Sequence, residues 1–149
     1  MLMRFFFILF FFSFNNLVAF EKEYFLTLRN DKVNLRQGPS FDYPIKIFYK
    51  KKFLPVLIQE KSDNFRKIRD HENNSGWIHI SQLSKKKAAI NIDDLSILFS
   101  RPTMFSKPVA RLEKGKLCLI KKCKNNWCKI KIDGLSGWMK KESLWGRIN

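Results

Sequence analysis

The stretch FRKI at residues 65–68 is followed by GWI at residues 76–78, and this pattern occurs twice in the chain. The second copy reads WCKI at residues 127–130 and GWM at residues 137–139, so the two Gly-Trp pairs are 61 residues apart. This period is longer than the usual solenoid unit, and two copies are too few for a solenoid. The repeat therefore predicts that the 149 residues hold two small domains of the same fold.

Each copy has the sequence pattern of short strands. Runs of β-branched and aromatic residues are separated by turn residues, such as Ser62-Asp63-Asn64 in the first copy and Asp133-Gly134 in the second. Five short strands in about fifty residues cannot bury one face as an open sheet, so they should curl into a small barrel. We therefore predict an all-β chain with domain 1 over residues 30–84, a linker over 85–94 and domain 2 over 95–147.

The first copy resembles a known bacterial domain. Its segments VNLRQGPSFDYP, FRKIRD and GWIHISQLS are similar to the bacterial SH3-like (SH3b) domain. The resemblance is strong over residues 33–84 and weaker over 97–146, where ILFSRPT replaces the N-x-R-x-G-P opening. It implies tandem SH3-like β-barrels in an exported bacterial protein, and it implies non-catalytic modules that bind peptides or cell-wall material.

The first nineteen residues have the layout of a secretory signal peptide. One positive charge at Arg4 precedes an apolar run over residues 5–12, and polar Asn15-Asn16 and a small Ala19 follow. We expect cleavage near Ala19, with retention of residues 5–20 as an uncleaved anchor as the alternative. Either way the protein is expected to be exported to the periplasm or cell envelope.

Three cysteines lie close together in the second copy, at Cys118, Cys123 and Cys128. If KNNW closes a hairpin, Cys123 and Cys128 lie directly opposite each other, at a separation that suits a disulfide. Cys118, five residues before Cys123, should then point to the other face of the strand as a buried free thiol. Zinc is the alternative, but the C-x4-C-x4-C spacing lacks the usual hook and no histidine follows.

The chain is strongly basic, with 29 Lys and Arg against 13 Asp and Glu and a formal net charge of +16. A basic excess of this size favours anionic partners. Export separates the protein from the genome and the sequence has no single dominant basic cluster, so we expect no nucleic-acid partner. Carboxylate-bearing cell wall and anionic lipid surfaces are the polyanions at hand. Compositional drift in an AT-rich genome is the alternative explanation of the charge.

Strand alternation predicts candidate ligand-binding residues in the first copy. In GWIHI, Ile78 and Ile80 should share the core face, so Trp77 should face outward. Phe65 on the neighbouring strand should add a second outward ring, and Tyr43 comes from the intact opening loop. Flat rings beside lysines suit contact with a peptide or a sugar backbone.

The second copy repeats this arrangement. Alternate residues from Cys128 to Ile132 should face the core, so Trp127 should face outward. A turn at Asp133-Gly134 would set Lys129 opposite Trp138, with Trp127 diagonal to it. The alternative is that these rings pack between the two domains. Because the second copy lacks the opening loop, we expect the first copy to bind the ligand and the second to provide stability.

The sequence contains no pattern that indicates an enzyme. Both histidines lie in the first copy and all cysteines in the second, and there is no Gly-rich phosphate loop, H-x-x-x-H pair or G-x-S-x-G turn. We therefore expect no catalytic activity, no cofactor and no metal. Two functions remain: recognition of cell-wall peptide, peptidoglycan or a periplasmic protein through the outward rings, or charge-driven adhesion to membrane or wall without a defined pocket.

Overall fold

The structure, a computed structural model, describes residues 21–149. The signal peptide predicted over residues 1–19 lies outside the described residues. Within residues 21–149, no helix is long and apolar enough to cross a membrane.

The two copies of the repeat each form seven strands. The strands of the first copy are β1 (Tyr24–Leu28), β2 (Val33–Arg36), β3 (Ile45–Tyr49), β4 (Pro55–Ser62), β5 (Phe65–Arg69), β6 (Ser75–His79) and β7 (Leu83–Ser84). The strands of the second copy are β8 (Ala88–Asn91), β9 (Leu95–Phe99), β10 (Pro108–Glu113), β11 (Leu117–Lys124), β12 (Trp127–Ile132), β13 (Leu135–Lys140) and β14 (Leu144–Arg147). A 3-10 turn precedes β7 at Ile80–Gln82, and another precedes β14 at Lys141–Ser143.

Both sheets have the same topology. The strand order is β3-β2-β6-β5-β4-β1-β7 in the first and β10-β9-β13-β12-β11-β8-β14 in the second, so each strand has its counterpart seven strands later. All the strand pairs are antiparallel. The prediction of an all-β chain built from two copies of one small fold is confirmed.

The structure revises the predicted boundaries. Strand β1 begins at Tyr24, before the predicted start at residue 30, and pairs with β4 and β7. Strand β8 lies inside the segment 85–94 that we assigned to the linker, yet it pairs with β11 and β14 of the second sheet. The sequence of β8, AAIN, has only one β-branched residue, so it carried little strand signal, although all four of its residues are buried.

Each copy has its own hydrophobic core. The first contains, among others, Leu28, Val33, Leu35, Val56, Ile68 and Ile78, and the second contains Leu98, Cys118, Cys128, Ile130 and Met139. The matched residues of the repeat, Ile68 and Ile130, are both completely buried. The cores are not independent, because Ile90 of β8 packs in the core of the first copy and Leu117 of β11 packs against it.

The last strand of the chain fastens the two copies to each other. The ring of Trp145 meets Phe25 of β1 edge-on, with centroids 4.9 Å apart. The guanidinium of Arg147 donates hydrogen bonds to the carbonyl oxygens of Phe25, at 2.9 Å, and Lys85, at 3.0 Å. The sequence left open that the candidate site rings pack between the two copies. The tryptophan ring that packs there is that of Trp145, which was not a candidate site residue.

The glycine of each Gly-Trp pair lies where two strands approach closely. A Cβ added at Gly76 would come within 2.7 Å of the carbonyl oxygen of Arg36 and 2.8 Å of Leu35 Cγ. A Cβ at Gly137 would meet Phe99 and Leu98 in the same way, both at 2.7 Å. Because two of these atoms belong to the backbone, the neighbouring strand would have to move to admit a methyl group. The repeated glycine is therefore a steric requirement of the fold.

We expect Gly137→Ala to lower the free energy of unfolding by about 1–3 kcal/mol, because an extra methyl group in a packed site forces the strands apart. The adjacent, exposed Ser136→Ala on the same strand is the matched control, with a change within about 0.5 kcal/mol. Chemical denaturation of both variants measures the difference. Equal stabilities would contradict the proposed steric role.

A buried carboxylate organises the loop between β5 and β6. Asp70 is 2% exposed and accepts four hydrogen bonds: from the hydroxyl of Tyr49 at 2.8 Å, the backbone amides of Glu72 and Asn74 at 2.9 and 2.8 Å, and the side-chain amide of Asn74 at 2.9 Å. Burial, followed by this hydrogen bond to Asp70, raises the pKa of Tyr49 far above its usual range. The neutral phenol is thus part of the native structure.

We expect Tyr49→Phe to cost about 1–3 kcal/mol at neutral pH, because Asp70 loses one donor. A tyrosine ionises near pH 10 in the unfolded chain but keeps its proton in the native state. Its contribution is therefore complete below about pH 10 and is lost as the pH rises further. Melting temperatures measured up to about pH 11 should fall more steeply for the wild type than for Tyr49→Phe. Tyr24→Phe, at an exposed ring, is the control; parallel curves for all three proteins would refute this role.

The predicted Cys123–Cys128 disulfide is present across the β11–β12 hairpin, and Cys118 is a buried free cysteine. The prediction that Cys118 faces away from Cys123 is wrong. A β-bulge between Ile120 and Lys122 inserts one extra residue, so both sulfurs lie on the core side of β11. Cys118 is completely buried, and this burial raises the pKa of its thiol to about 11.

A thiol reagent should therefore leave the folded protein almost unlabelled, since the thiolate is scarce at neutral pH and the sulfur is shielded. Denaturation without reductant should expose one reactive thiol per chain, and denaturation with reductant all three. Colorimetric thiol titration distinguishes these states. Rapid labelling of the native chain, or peptide mapping that joins Cys118 to either partner, would contradict the assignment.

Candidate ligand-binding face

The outer face of the first copy carries a cluster of three rings. Phe65 lies directly across the ladder from His79, with ring centroids 5.1 Å apart. Phe41, from the loop after β2, covers both rings at 5.2 and 5.1 Å. Phe65 is consequently only 6% exposed, whereas Phe41 is 62% exposed. The prediction that Phe65 forms an open aromatic platform with Trp77 is wrong, because Phe41 fills the space above it.

The opening loop of the first copy is held by Arg36. Its guanidinium donates to the carbonyl oxygens of Phe41, at 3.1 Å, and Tyr43, at 2.9 Å, and lies 5.3 Å from the ring centroid of Phe41. The ring of Tyr43 lies over Gly38, where an added Cβ would come within 2.5 Å of it. Tyr43 remains 47% exposed, and Trp77 is half-buried in register with Arg36. These contacts account for Arg36, Gly38, Phe41 and Tyr43 of the RQGPSFDY sequence.

The second copy is open at the corresponding place. Trp127 occupies the position of Phe65, and its ring meets Phe99 edge-on at 5.8 Å. An open groove of about 590 Å³ runs beside it, lined by Met104, Asn126, Trp127, Lys140, Lys141 and Glu142. The loop between β9 and β10 contributes Met104 to this groove and leaves Phe105 99% exposed. The half-buried Trp127 thus forms one wall of an accessible groove.

Trp138 differs from its predicted role. Lys129 lies directly opposite it, as the hairpin register predicted, but the ring is only 8% exposed. The ammonium of Lys122 lies 5.6 Å from its centroid, within range of a cation–π interaction. Trp138 therefore supports the outer face more than it presents a free ring.

The core prediction for the GWIHI segment holds at one of its two residues. Ile78 is completely buried, but Ile80 is 39% exposed. Strand β6 ends at His79 and a 3-10 turn begins at Ile80, so the alternation that would have buried Ile80 stops one residue earlier.

Three residues of these faces had no signal in the sequence. Phe41 and Met104 lie in loops whose conformation is set by tertiary contacts. Phe99 pairs with Trp138 where the first copy has Arg36 paired with Trp77. Phe99 is the counterpart of Arg36 in strand register, but the two residues share no chemical similarity that a comparison of the two sequences would detect.

No curated protein matches the sequence significantly. Among solved structures, NlpC2 from Trichomonas vaginalis is 12% identical with a TM-score of 0.38, covering 85% of this chain and 49% of its own. An NlpC/P60 family protein from Bacillus cereus ATCC 10987 is 10% identical with a TM-score of 0.38, covering 82% and 56%. The chain thus spans about half of these structures.

A family model supplies the assignment. The model of the bacterial SH3 domain matches the chain twice, at residues 29–85 and at residues 93–146. The two matches fall on the two seven-stranded sheets and together cover most of the sequence. This chain belongs to the bacterial SH3 domain family, with two domains in tandem.

Proposed function

We propose that this protein is an exported recognition module that binds cell-wall peptide, peptidoglycan or a periplasmic protein partner through the groove beside Trp127. The ligand lies against the ring in the groove and is held at its margin by the lysines of β13 and the turn that follows. Such a site combines apolar area with a few polar groups that fix orientation, which is typical of binding grooves.

The difference between the two copies is the observation that carries this proposal. In the first copy Phe41 covers the ring of Phe65, and in the second copy the ring of Trp127 lines an open groove. This geometry favours the second copy as the binding copy, the reverse of the expectation drawn from the intact opening loop. The first copy then acts as the supporting domain, joined to the second through Ile90 and Trp145.

The proposed function is non-catalytic. The free cysteine is buried among apolar side chains, and its raised pKa, about 11, keeps it protonated at neutral pH, so it is unsuited to act as a nucleophile. Residues 21–149 contain no group of three or more His, Cys, Asp or Glu side chains that would bind a metal. The burial and protonation of the Cys118 thiol support binding over chemistry at a cysteine.

We expect Trp127→Ala to lower retention of the protein on isolated cell wall by about ten-fold, because stacking on an aromatic anchor is lost. Trp77→Ala, which removes a half-buried tryptophan from the first copy, is the control and should leave retention nearly unchanged. A pull-down measures both variants at equal folded fraction, checked by circular dichroism.

A salt series separates recognition from charge-driven adhesion. At 1 M salt the Debye length shrinks to about 3 Å, so attraction between exposed charges fades while ring contacts persist. Retention that disappears at high salt and is equally insensitive to both tryptophan substitutions would favour adhesion without a pocket and overturn the proposed function.

A further inference from the structure

The equivalent outer faces of the two copies differ in charge. Strand register gives four pairs of equivalent positions around the rings of Phe65 in the first copy and Trp127 in the second. The first copy has Glu60, Ser62, Lys67 and His79 at these positions, and the second has Lys122, Lys124, Lys129 and Lys140. One face is therefore close to neutral and the other carries four positive charges, although the backbone arrangement is the same.

The lysines of the second copy repel one another. Lys122 lies directly opposite Lys129, whereas at the same place in the first copy Glu60 and Lys67 form an ion pair at 2.9 Å. Like charges directly opposite each other destabilise a sheet. Glu142 lies in the lining of the groove, with a carboxylate oxygen 3.9 Å from the ammonium of Lys140. The positive charge is therefore largely uncompensated within the chain.

The contrast lies in this face and not in the net charge of the two copies. With β8 counted in the second copy, residues 88–149 contain 13 Lys and Arg and 5 Asp and Glu, and residues 21–87 contain 15 and 8. The net charges of the two copies, +8 and +7, are therefore nearly equal, and the uncompensated lysines are a local feature of the face that carries the open groove.

We infer that the ligand of the second copy is an acidic peptide bound in extended form, with carboxylates that face the lysines of β11 and β12. This inference rests on the proposed function and names the chemistry of its ligand. Alternate side chains of an extended peptide repeat about every 6.6–6.8 Å, which is the spacing between Lys122 and Lys124 along β11. An acidic residue at every second position therefore places its carboxylates over Lys122 and Lys124, and the aliphatic stems of the same side chains contact Trp127, which lies directly opposite Lys124.

The shape of the site favours a peptide over a lipid surface. Trp127 forms the wall of a groove about 590 Å³ in volume, which a narrow chain can enter and a flat bilayer cannot fill. Lysine ammonium groups act as point charges that pair with single carboxylates without the planar geometry that arginine imposes.

The test uses a short fluorescein-labelled peptide of alternating Glu and Thr, and its Gln counterpart, measured by fluorescence anisotropy at low salt. We expect binding of the Glu peptide and at least about ten-fold weaker binding of the Gln peptide, because the carboxylates are lost. Vesicles of phosphatidylglycerol form a separate arm. Stronger association with these vesicles than with the Glu peptide would overturn the inference in favour of a membrane.

Equivalent lysines in the two copies provide a matched control. Lys129→Gln should weaken binding of the Glu peptide about three- to five-fold, and Lys67→Gln should leave it unchanged. The melting temperatures of the two variants should shift in opposite directions. Lys129→Gln should raise the melting temperature because a like-charge pair is removed, and Lys67→Gln should lower it because an ion pair is removed. Loss of binding confined to Lys129→Gln, without a lowered melting temperature, therefore reports contact with the ligand.

The outcomes distinguish this inference from the proposed function. If the Glu and Gln peptides bind equally, or if both lysine variants behave alike, the acidic ligand is refuted. If retention on cell wall still depends on Trp127 in that case, the proposed recognition function stands and only the acidic ligand is rejected. If the Trp127 dependence is absent as well, both fail.

Discussion

The close approach of two strands at each Gly-Trp pair is the constraint on which the rest of the structure depends. The strand that carries the glycine passes over a core leucine, Leu35 or Leu98, with no room for a side chain. That approach lets β6 pair with β2 and β13 with β9, and it fixes the next residue, the tryptophan, on the outer face. The repeated glycine is therefore required for this strand pairing, and the outer ring beside it is a consequence of strand alternation.

The two domains also depend on each other. Strand β8 supplies Ile90 to the first core while it pairs within the second sheet, and Trp145 and Arg147 return from the last strand to contact Phe25. Small domains of this size bury too little apolar surface to be very stable alone. Burying residues across the junction adds area to both, and it makes the relative position of the two faces part of the fold.

Local pattern was sufficient for the fold class, for the duplicated cores at Ile68 and Ile130, and for the Cys123–Cys128 hairpin, because these depend on alternation and on a short turn. Local pattern failed where a single residue interrupted the strand alternation. The bulge before Lys122 puts Cys123 on the same side of β11 as Cys118, and the 3-10 turn after β6 exposes Ile80. Local pattern failed also for the site, since the covering of Phe65 by Phe41 is a loop contact that no periodicity encodes.

Because the fold is duplicated, the outer face of one copy can favour stability while the outer face of the other favours binding. On the outer face of the first copy, the ring of Phe41 packs over Phe65, and Glu60 forms an ion pair with Lys67, so both groups have partners within the copy. The second leaves its ring open and sets Lys122 against Lys129, which weakens the β11–β12 hairpin at the end that carries Trp127. The Cys123–Cys128 disulfide joins the same two strands at the neighbouring register position. A covalent link thus holds the hairpin together where its side chains repel, and it keeps Trp127 in position for a ligand that would neutralise the lysines.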